Sequence, residues 1–106
     1  MIPTAIHEIT FLNAVTATGA GIEIATKRDR GWTFAIRSSS VTSGGTVAIQ
    51  AEIGGNWFTI HEEVVTADGD VIVYQNHGHY PKLRANVTAR TDGTYSVYGI
   101  GSTFGL

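Results

Sequence analysis

Residues 47–61 have the sequence VAIQAEIGGNWFTIH, and this stretch decides the fold class. Apolar side chains alternate with other side chains from Val47 to Ile53, a period of two that is typical of a strand with one face in a core. Gly54-Gly55-Asn56 follows, and these residue types tolerate the positive φ angles of a tight hairpin. Because residues 57–61 are again strand formers, the stretch predicts a β-hairpin.

The same two-residue period recurs on both sides of this hairpin. Further strands are predicted over residues 9–18, 22–24, 32–37, 71–75, 83–90 and 94–99, with turns at 19–21, 28–31, 67–70 and 91–93 and loops at 38–45 and 76–81. About eight short strands with frequent turn signals, and no sustained helical period, indicate an all-β fold. We predict a two-sheet antiparallel β-sandwich, either jelly-roll-like or immunoglobulin-like.

Alternation also assigns the aromatic side chains to faces. Trp32 and Phe34 point the same way on one strand and are predicted to lie in the core. On the last strand, Tyr95 shares its side with Val97, whereas Tyr98 faces the other way with Ser96 and Ile100. The adjacent residues Trp57 and Phe58 face opposite sides, so we expect one of them to be exposed.

The chain has 106 residues, the usual size of one domain, and we predict a single domain over residues 1–106. Only 15% of the residues are charged, below the roughly 25% of an average domain. Such a surface is typical of proteins whose faces are partly covered by neighbours. The C-terminal segment is apolar and glycine-rich, so we predict that both ends, including Phe104 and Leu106, dock on neighbouring surfaces.

Charge and composition argue against several classes of partner. The net charge is −2, and the one basic cluster, Lys27, Arg28 and Arg30, is interrupted by Asp29, which disfavours nucleic-acid binding. The sequence has no cysteine and therefore no thiolate metal site. No apolar run approaches the ~20 residues that cross a bilayer. We therefore predict no nucleic-acid partner, no membrane contact and no cofactor.

The candidate chemical residues favour structural roles. His77-Gly78-His79 places two imidazoles on one side of an extended segment, but a metal needs a third ligand from elsewhere, so an exposed loop without metal is predicted. The adjacent carboxylates Glu62-Glu63 face opposite sides and cannot easily act on one bond. Asp68-Gly69-Asp70 lacks the oxygen ligands of a calcium loop and is predicted to be a turn. No nucleophile or phosphate-binding motif occurs, and we predict a protein without catalytic activity.

The second half of the chain resembles a known group of proteins. Gly55, Asn56 and Trp57 fit a G-x-W hairpin, Tyr80, Pro81, Leu83, Arg84 and Val87 fit a Y-P-x-(L/V)-R-x-x-V strand, and a Thr-Gly hairpin follows at residues 91–93. This pattern, which covers about half of the chain, resembles the small β-sandwich virion proteins of tailed bacteriophages. Members of that group are capsid decoration (cement) proteins, head fibres or neck and tail accessory proteins.

The resemblance implies a non-catalytic virion protein, assembled in the host cytoplasm. It implies binding to the major capsid protein or to neck and tail proteins, and self-association as a trimer or ring. The candidate contact residues are Asn56, Trp57, Tyr80, Arg84, Phe104 and Leu106. We expect Pro81 to begin a strand, Tyr80 to cover an end of the sandwich, and Arg84 to face outward, where a salt bridge is available.

A carbohydrate-binding or receptor-binding module is the alternative. In that case Trp57 or Tyr80 would stack on a sugar ring, and Asn56 and Asn76 would supply hydrogen bonds. An exposed aromatic side chain serves equally well in contact with another subunit. The low surface charge favours the subunit contact.

Overall fold

The computed structural model describes residues 6–26, 31–75 and 80–102, and strands account for about three quarters of them. The strands are β1 (Ile6–Val15), β2 (Gly19–Ala20), β3 (Ile24–Ala25), β4 (Gly31–Ser39), β5 (Gly45–Ile53), β6 (Asn56–Val65), β7 (Gly69–Gln75), β8 (Lys82–Arg90) and β9 (Thr94–Ser102). All pairings between them are antiparallel. The predicted all-β fold is confirmed.

Two sheets form the sandwich. The first sheet has the strand order β1-β9-β4-β7, and the second has the order β2-β8-β5-β6, with β3 also pairing with β8. When β2 and β3 are counted as one interrupted strand, eight strands remain, and their order is that of an eight-stranded jelly roll with two Greek keys. Of the two predicted sandwich types, the structure therefore has the jelly-roll topology.

The prediction for the first turn was wrong. The sequence predicted β1 to continue to Thr18 and Gly19-Ala20-Gly21 to be a loop, but β1 ends at Val15 and Gly19–Ala20 pairs with β8. Ala14 lies in the second register shift of β1, with a φ of 50° and its N–H donating to Ser96 Oγ at 2.9 Å, and the chain leaves the first sheet after Val15, which pairs with Tyr95. In place of the predicted strand at 22–24, only Ile24–Ala25 pairs with β8. Ile22 is exposed and does not pair with that strand.

The hairpin that decided the fold forms as predicted, with one difference. Ile53 pairs with Asn56 across a two-residue loop, and Gly54 and Gly55 have φ values of 61° and 81°. Positive φ at both central residues is the type I′ geometry that matches the twist of the flanking strands. Asn56 does not take part in the left-handed turn, because it is already the first residue of β6.

The core lies between the sheets and is rich in aromatic side chains. Phe11, Trp32 and Phe34 contact one another with ring centroids 5.7–5.9 Å apart. Gly99 and Gly101 of β9 lie beneath these rings, where a Cβ atom would come within 2.5 Å of Phe11 and 2.7 Å of Trp32, respectively. The two glycines therefore provide the space that the aromatic cluster fills.

One end of the sandwich is held by Asp92. Its carboxylate accepts hydrogen bonds from the N–H groups of Thr42, Ser43 and Gly44 at 2.8–3.1 Å. These bonds, that of Ser43 first, hold the pKa of Asp92 below its ordinary value. The buried hydroxyl of Tyr95 donates to the Asp92 carbonyl oxygen at 2.6 Å, and burial raises the pKa of this tyrosine. The β4–β5 loop is thereby fastened to the last hairpin.

Candidate functional site

Three of the predicted contact residues lie on the second sheet. Trp57 and Arg84 point to its outer face, where the guanidinium carbon of Arg84 lies 4.2 Å from the centroid of the Trp57 ring. This is the distance of a cation–π contact. Asn56 begins the same strand as Trp57, but its side-chain amide donates to Gly54 O at 3.2 Å within its own turn. The register of β6 and β8 on either side of β5 thus brings Trp57 and Arg84 together.

Gln50 connects these residues into a polar network. Arg84 Nε donates to Gln50 Oε1 at 2.8 Å, and Asn86 Nδ2 donates to the same oxygen at 3.3 Å. The Gln50 amide in turn donates to Thr59 Oγ1 at 3.3 Å. Arg84 faces outward as predicted, and the contacts shown for it are the stacking on Trp57 and the bond to Gln50. The sequence analysis did not identify Gln50 as a functional residue, although the alternation places it on the side of β5 opposite to Ile49 and Ala51.

Tyr80 has a different position. It packs against the core, and its carbonyl oxygen accepts a hydrogen bond from the Thr26 hydroxyl. Thr26 also donates its N–H to Pro81 O at 3.1 Å, immediately before β8 begins. Tyr80 therefore covers part of the sandwich core, as expected, whereas Pro81 lies one residue before β8 and does not begin it. The other predicted residues, Phe104 and Leu106, and the residues Asn76, His77 and His79 lie outside the described part of the chain.

The outer face of the first sheet carries an apolar patch, and the sequence analysis did not identify the part of it that β7 contributes. Four side chains are exposed there: Ile72 (53%), Tyr74 (68%), Tyr98 (39%) and Ile100 (45%). In the register of the sheet, Ala35 pairs with both Ile72 and Tyr98, and Thr33 pairs with both Tyr74 and Ile100. The four residues thus form two rows across three adjacent strands. We call them the apolar face.

An ion pair borders the apolar face. Arg37 Nε and Nη2 donate to the two carboxylate oxygens of Asp70 at 2.8 and 3.2 Å. This bidentate bond raises the pKa of Arg37 and lowers the pKa of Asp70. Ala35, Arg37, Asp70, Ile72 and Tyr98 together line a shallow depression of about 160 Å³. The surface therefore combines exposed apolar side chains with an ion pair at its border.

A second concave surface is a groove beside the end of β1 and β2. It has a volume of about 840 Å³ and is lined by residues 10–22, none of which has a titratable side chain. On the edge strand β6, His61 Nε2 lies 3.1 Å from Glu63 Oε1, while Glu62 is exposed on the other side, as its position predicted. The described residues contain no group of three His, Asp or Glu residues that could hold a metal.

Within residues 6–26, 31–75 and 80–102, no helix is long and apolar enough to cross a bilayer.

The class of protein that this geometry defines is a small jelly-roll β-sandwich with an apolar outer face. Sequence comparison matches the chain to no protein-family profile and to no curated protein. Comparison of structures does find similar chains. The crystal structure of the SPBc2 prophage-derived protein YomS has a TM-score of 0.71 and 16% sequence identity, and the alignment covers 96% of both chains.

Two further structures share the fold at a lower TM-score. A protein of Bacillus endospore appendages, described as a novel family of disulfide-linked pili, has a TM-score of 0.54 and 13% identity over 95% of this chain and 85% of that one. The crystal structure of PirA has a TM-score of 0.54 and 16% identity over 92% of each chain. At these identities the comparisons establish the shared fold, and one of the proteins that share it is prophage-derived.

Proposed function

We propose that this chain is a non-catalytic structural protein of a phage virion, and specifically a capsid decoration protein that binds the major capsid protein and self-associates. The observation that carries the proposal is the apolar face. Contiguous exposed apolar side chains on a soluble domain mark surfaces that contact another macromolecule. A jelly roll hosts many functions, so the surface and not the fold supports a binding role.

Two similarities direct the proposal towards a virion. The hairpin and strand motifs around Trp57 and Arg84 resemble those of small virion proteins of tailed phages. The fold is shared over almost its whole length with a prophage-derived protein. Both similarities support a capsid as the larger assembly, and we therefore propose the virion as the site of action.

The described concave surfaces support a role without catalysis. The groove beside β1 is lined by Thr, Asn, Ala, Gly and apolar residues, which supply no general acid or base. The depression beside Ile72 contains Arg37 and Asp70, but each is held by the other in a bidentate ion pair. An exposed ion pair of this kind is suited to contacts at the rim of an interface, and we propose that role for both residues.

The carbohydrate-binding alternative retains Trp57 alone among the described residues. Arg84 covers one side of the Trp57 ring, Asn56 bonds within its turn, and Tyr80 packs against the core. A glycan array with wild-type protein and the Trp57→Ala variant separates the two functions. We expect no glycan signal, whereas binding that is lost in Trp57→Ala would favour the alternative.

Mass spectrometry of purified phage particles tests the proposed function. Particles produced by the strain that encodes the chain are banded on a density gradient, and the chain is quantified against the major capsid protein. We expect a fixed, near-integral ratio that survives repeated banding. A chain that is expressed in the lysate but removed from the particles by banding would contradict the proposal.

A further inference from the structure

The four sheet edges differ in how they are protected against pairing. β1, an edge of the first sheet, has register shifts on both sides of Leu12. One edge of the second sheet is broken into the short strands β2 and β3. β6 has a register shift opposite Ile49/Gln50 and bears Glu62 and Glu63. Bulges, short strands and charges are the devices by which natural proteins block edge-to-edge association.

β7 has no bulge and no break, and its single charge is paired. Its seven residues pair with β4 in seven consecutive positions without a register shift. The strand contains no proline and no lysine, and its one charge, Asp70, is neutralised by Arg37. Val73 is buried on the inner side, and Ile72 and Tyr74 are exposed on the outer side. A regular, apolar edge strand of this length is a template for a further strand.

We propose that β7 pairs antiparallel with β7 of a second copy of this chain, about a two-fold axis at Ile72. Ile72 is the middle residue of Gly69–Gln75, so this register alone pairs all seven residues of each strand. The two first sheets then form one continuous eight-stranded sheet. The inference concerns the self-association that is part of the proposed function, and it stands on the edge geometry.

The occupant is a second copy because the strand is self-complementary in this register. Val71 lies opposite the partner subunit's Val73, and Asp70 lies opposite the partner subunit's Tyr74, so inner side chains meet inner ones and outer ones meet outer ones. The two Asp70 carboxylates are about 14 Å apart along the strands, beyond the ~8 Å Debye length at physiological salt. No like charges face each other across the pair.

The contact consists mainly of main-chain hydrogen bonds. In an antiparallel pair, opposed residues alternate between pairs that exchange two hydrogen bonds and pairs that exchange none. Two seven-residue strands therefore form on the order of six to eight such bonds. The two Ile72 side chains meet at the axis, and the apolar faces of the two copies become continuous. The small side-chain contribution predicts a dimer whose population depends on concentration. A two-fold contact gives a larger ring only in combination with a second contact.

Mass measurement by light scattering over a wide range of protein concentrations tests the proposal. We expect wild-type protein to approach twice the 11.3 kDa of the chain as the concentration rises. Ile72→Lys should remain a monomer, because two ammonium groups would meet at the axis. The matched control is Val64→Lys, which alters a similarly exposed residue (63%) on the edge strand β6 and should dimerise as wild type does.

Tyr98→Lys distinguishes edge pairing from packing of two apolar faces against each other. Tyr98 lies on β9, two strands from the edge, so edge pairing tolerates the change and face-to-face packing does not. Loss of the dimer in Tyr98→Lys but not in Ile72→Lys would overturn the proposal, as would a wild-type monomer at all concentrations. A monomer that is still incorporated into particles would leave the virion role intact and remove only this inference.

A cysteine variant tests the register directly, because the chain contains no cysteine. Directly opposed residues of antiparallel strands have Cα atoms about 4.5–5.5 Å apart, within the range of a disulfide. Ile72→Cys should therefore form a covalent dimer under mild oxidation. Ile100→Cys is the control, since its two copies would be at least about 24 Å apart, five strand spacings. Faster cross-linking at residue 100 than at residue 72 would contradict the proposed pairing.

Discussion

Gly101→Ala tests how tightly the aromatic cluster is packed. A Cβ atom at this position would lie 2.7, 2.8 and 2.9 Å from three atoms of the Trp32 indole. The ring cannot move cheaply, because Trp32 is 4% exposed and contacts both Phe11 and Phe34. Overpacking of this kind costs about 1–3 kcal/mol, and replacing a strand glycine by alanine returns about 0.5–1 kcal/mol. We expect a net loss of about 1 kcal/mol.

Thermal unfolding followed by circular dichroism measures this effect. A loss of 1 kcal/mol lowers Tm by about 4 °C or more in a domain of this size. Trp32→Phe removes the outer indole ring, so in that background Gly101→Ala should cost less than in the wild-type protein, and the double-mutant cycle isolates the contact. If Gly101→Ala raised Tm in the protein that retains Trp32, as expected for a strand glycine with open space above it, the packing argument would be refuted.

The remaining predictions concern the Asp92 end and the Trp57 network. Asp92→Asn should lower Tm at neutral pH. Because the folded pKa of Asp92 is below its ordinary value of 3.8, its stabilisation is present above that pH and is lost as the pH falls through the folded value, so wild type and variant should converge in acid. A Tm difference that does not depend on pH would contradict this. Tyr95→Phe should cost about 1 kcal/mol in denaturant unfolding, since the Asp92 carbonyl loses its buried donor, and an unchanged midpoint would contradict this prediction. Arg84→Lys should cost about 0.5–1 kcal/mol and change the Trp57 fluorescence, because the planar stacking and the bond to Gln50 are lost; an unchanged spectrum would argue against the contact.

The alternation of side chains was sufficient to predict most of the fold. Val47, Ile49 and Ala51 point inward as their spacing requires, and Gly54-Gly55 forms the expected hairpin. The sequence did not distinguish a jelly roll from an immunoglobulin-like sandwich, because strand order depends on long-range pairing. It also misplaced the passage between the sheets, which lies at residues 16–18. Ala14, near the end of β1 before this passage, is a non-glycine residue with positive φ, and nothing in its residue type indicates that conformation.

The candidate site was predicted less completely. The Trp57–Arg84 contact follows from two motifs that lie on different strands, and register alone brings them together. Tyr98 and Ile100 were correctly assigned to one side, opposite to that of Tyr95, but their neighbours Ile72 and Tyr74 come from β7, which does not pair with β9. Both sides of β7 are apolar in sequence, so its exposed side could not be chosen without knowing that β7 is an edge strand.

The central claim is that the apolar face binds a component of the virion, and competitive incorporation into particles tests it most directly. Wild-type chain and a variant are expressed together, and their ratio in banded particles is compared with their ratio in the lysate. We predict that Tyr98→Lys is strongly depleted from the particles while Val64→Lys is incorporated as wild type is. Equal incorporation of Tyr98→Lys and wild type would contradict the claim.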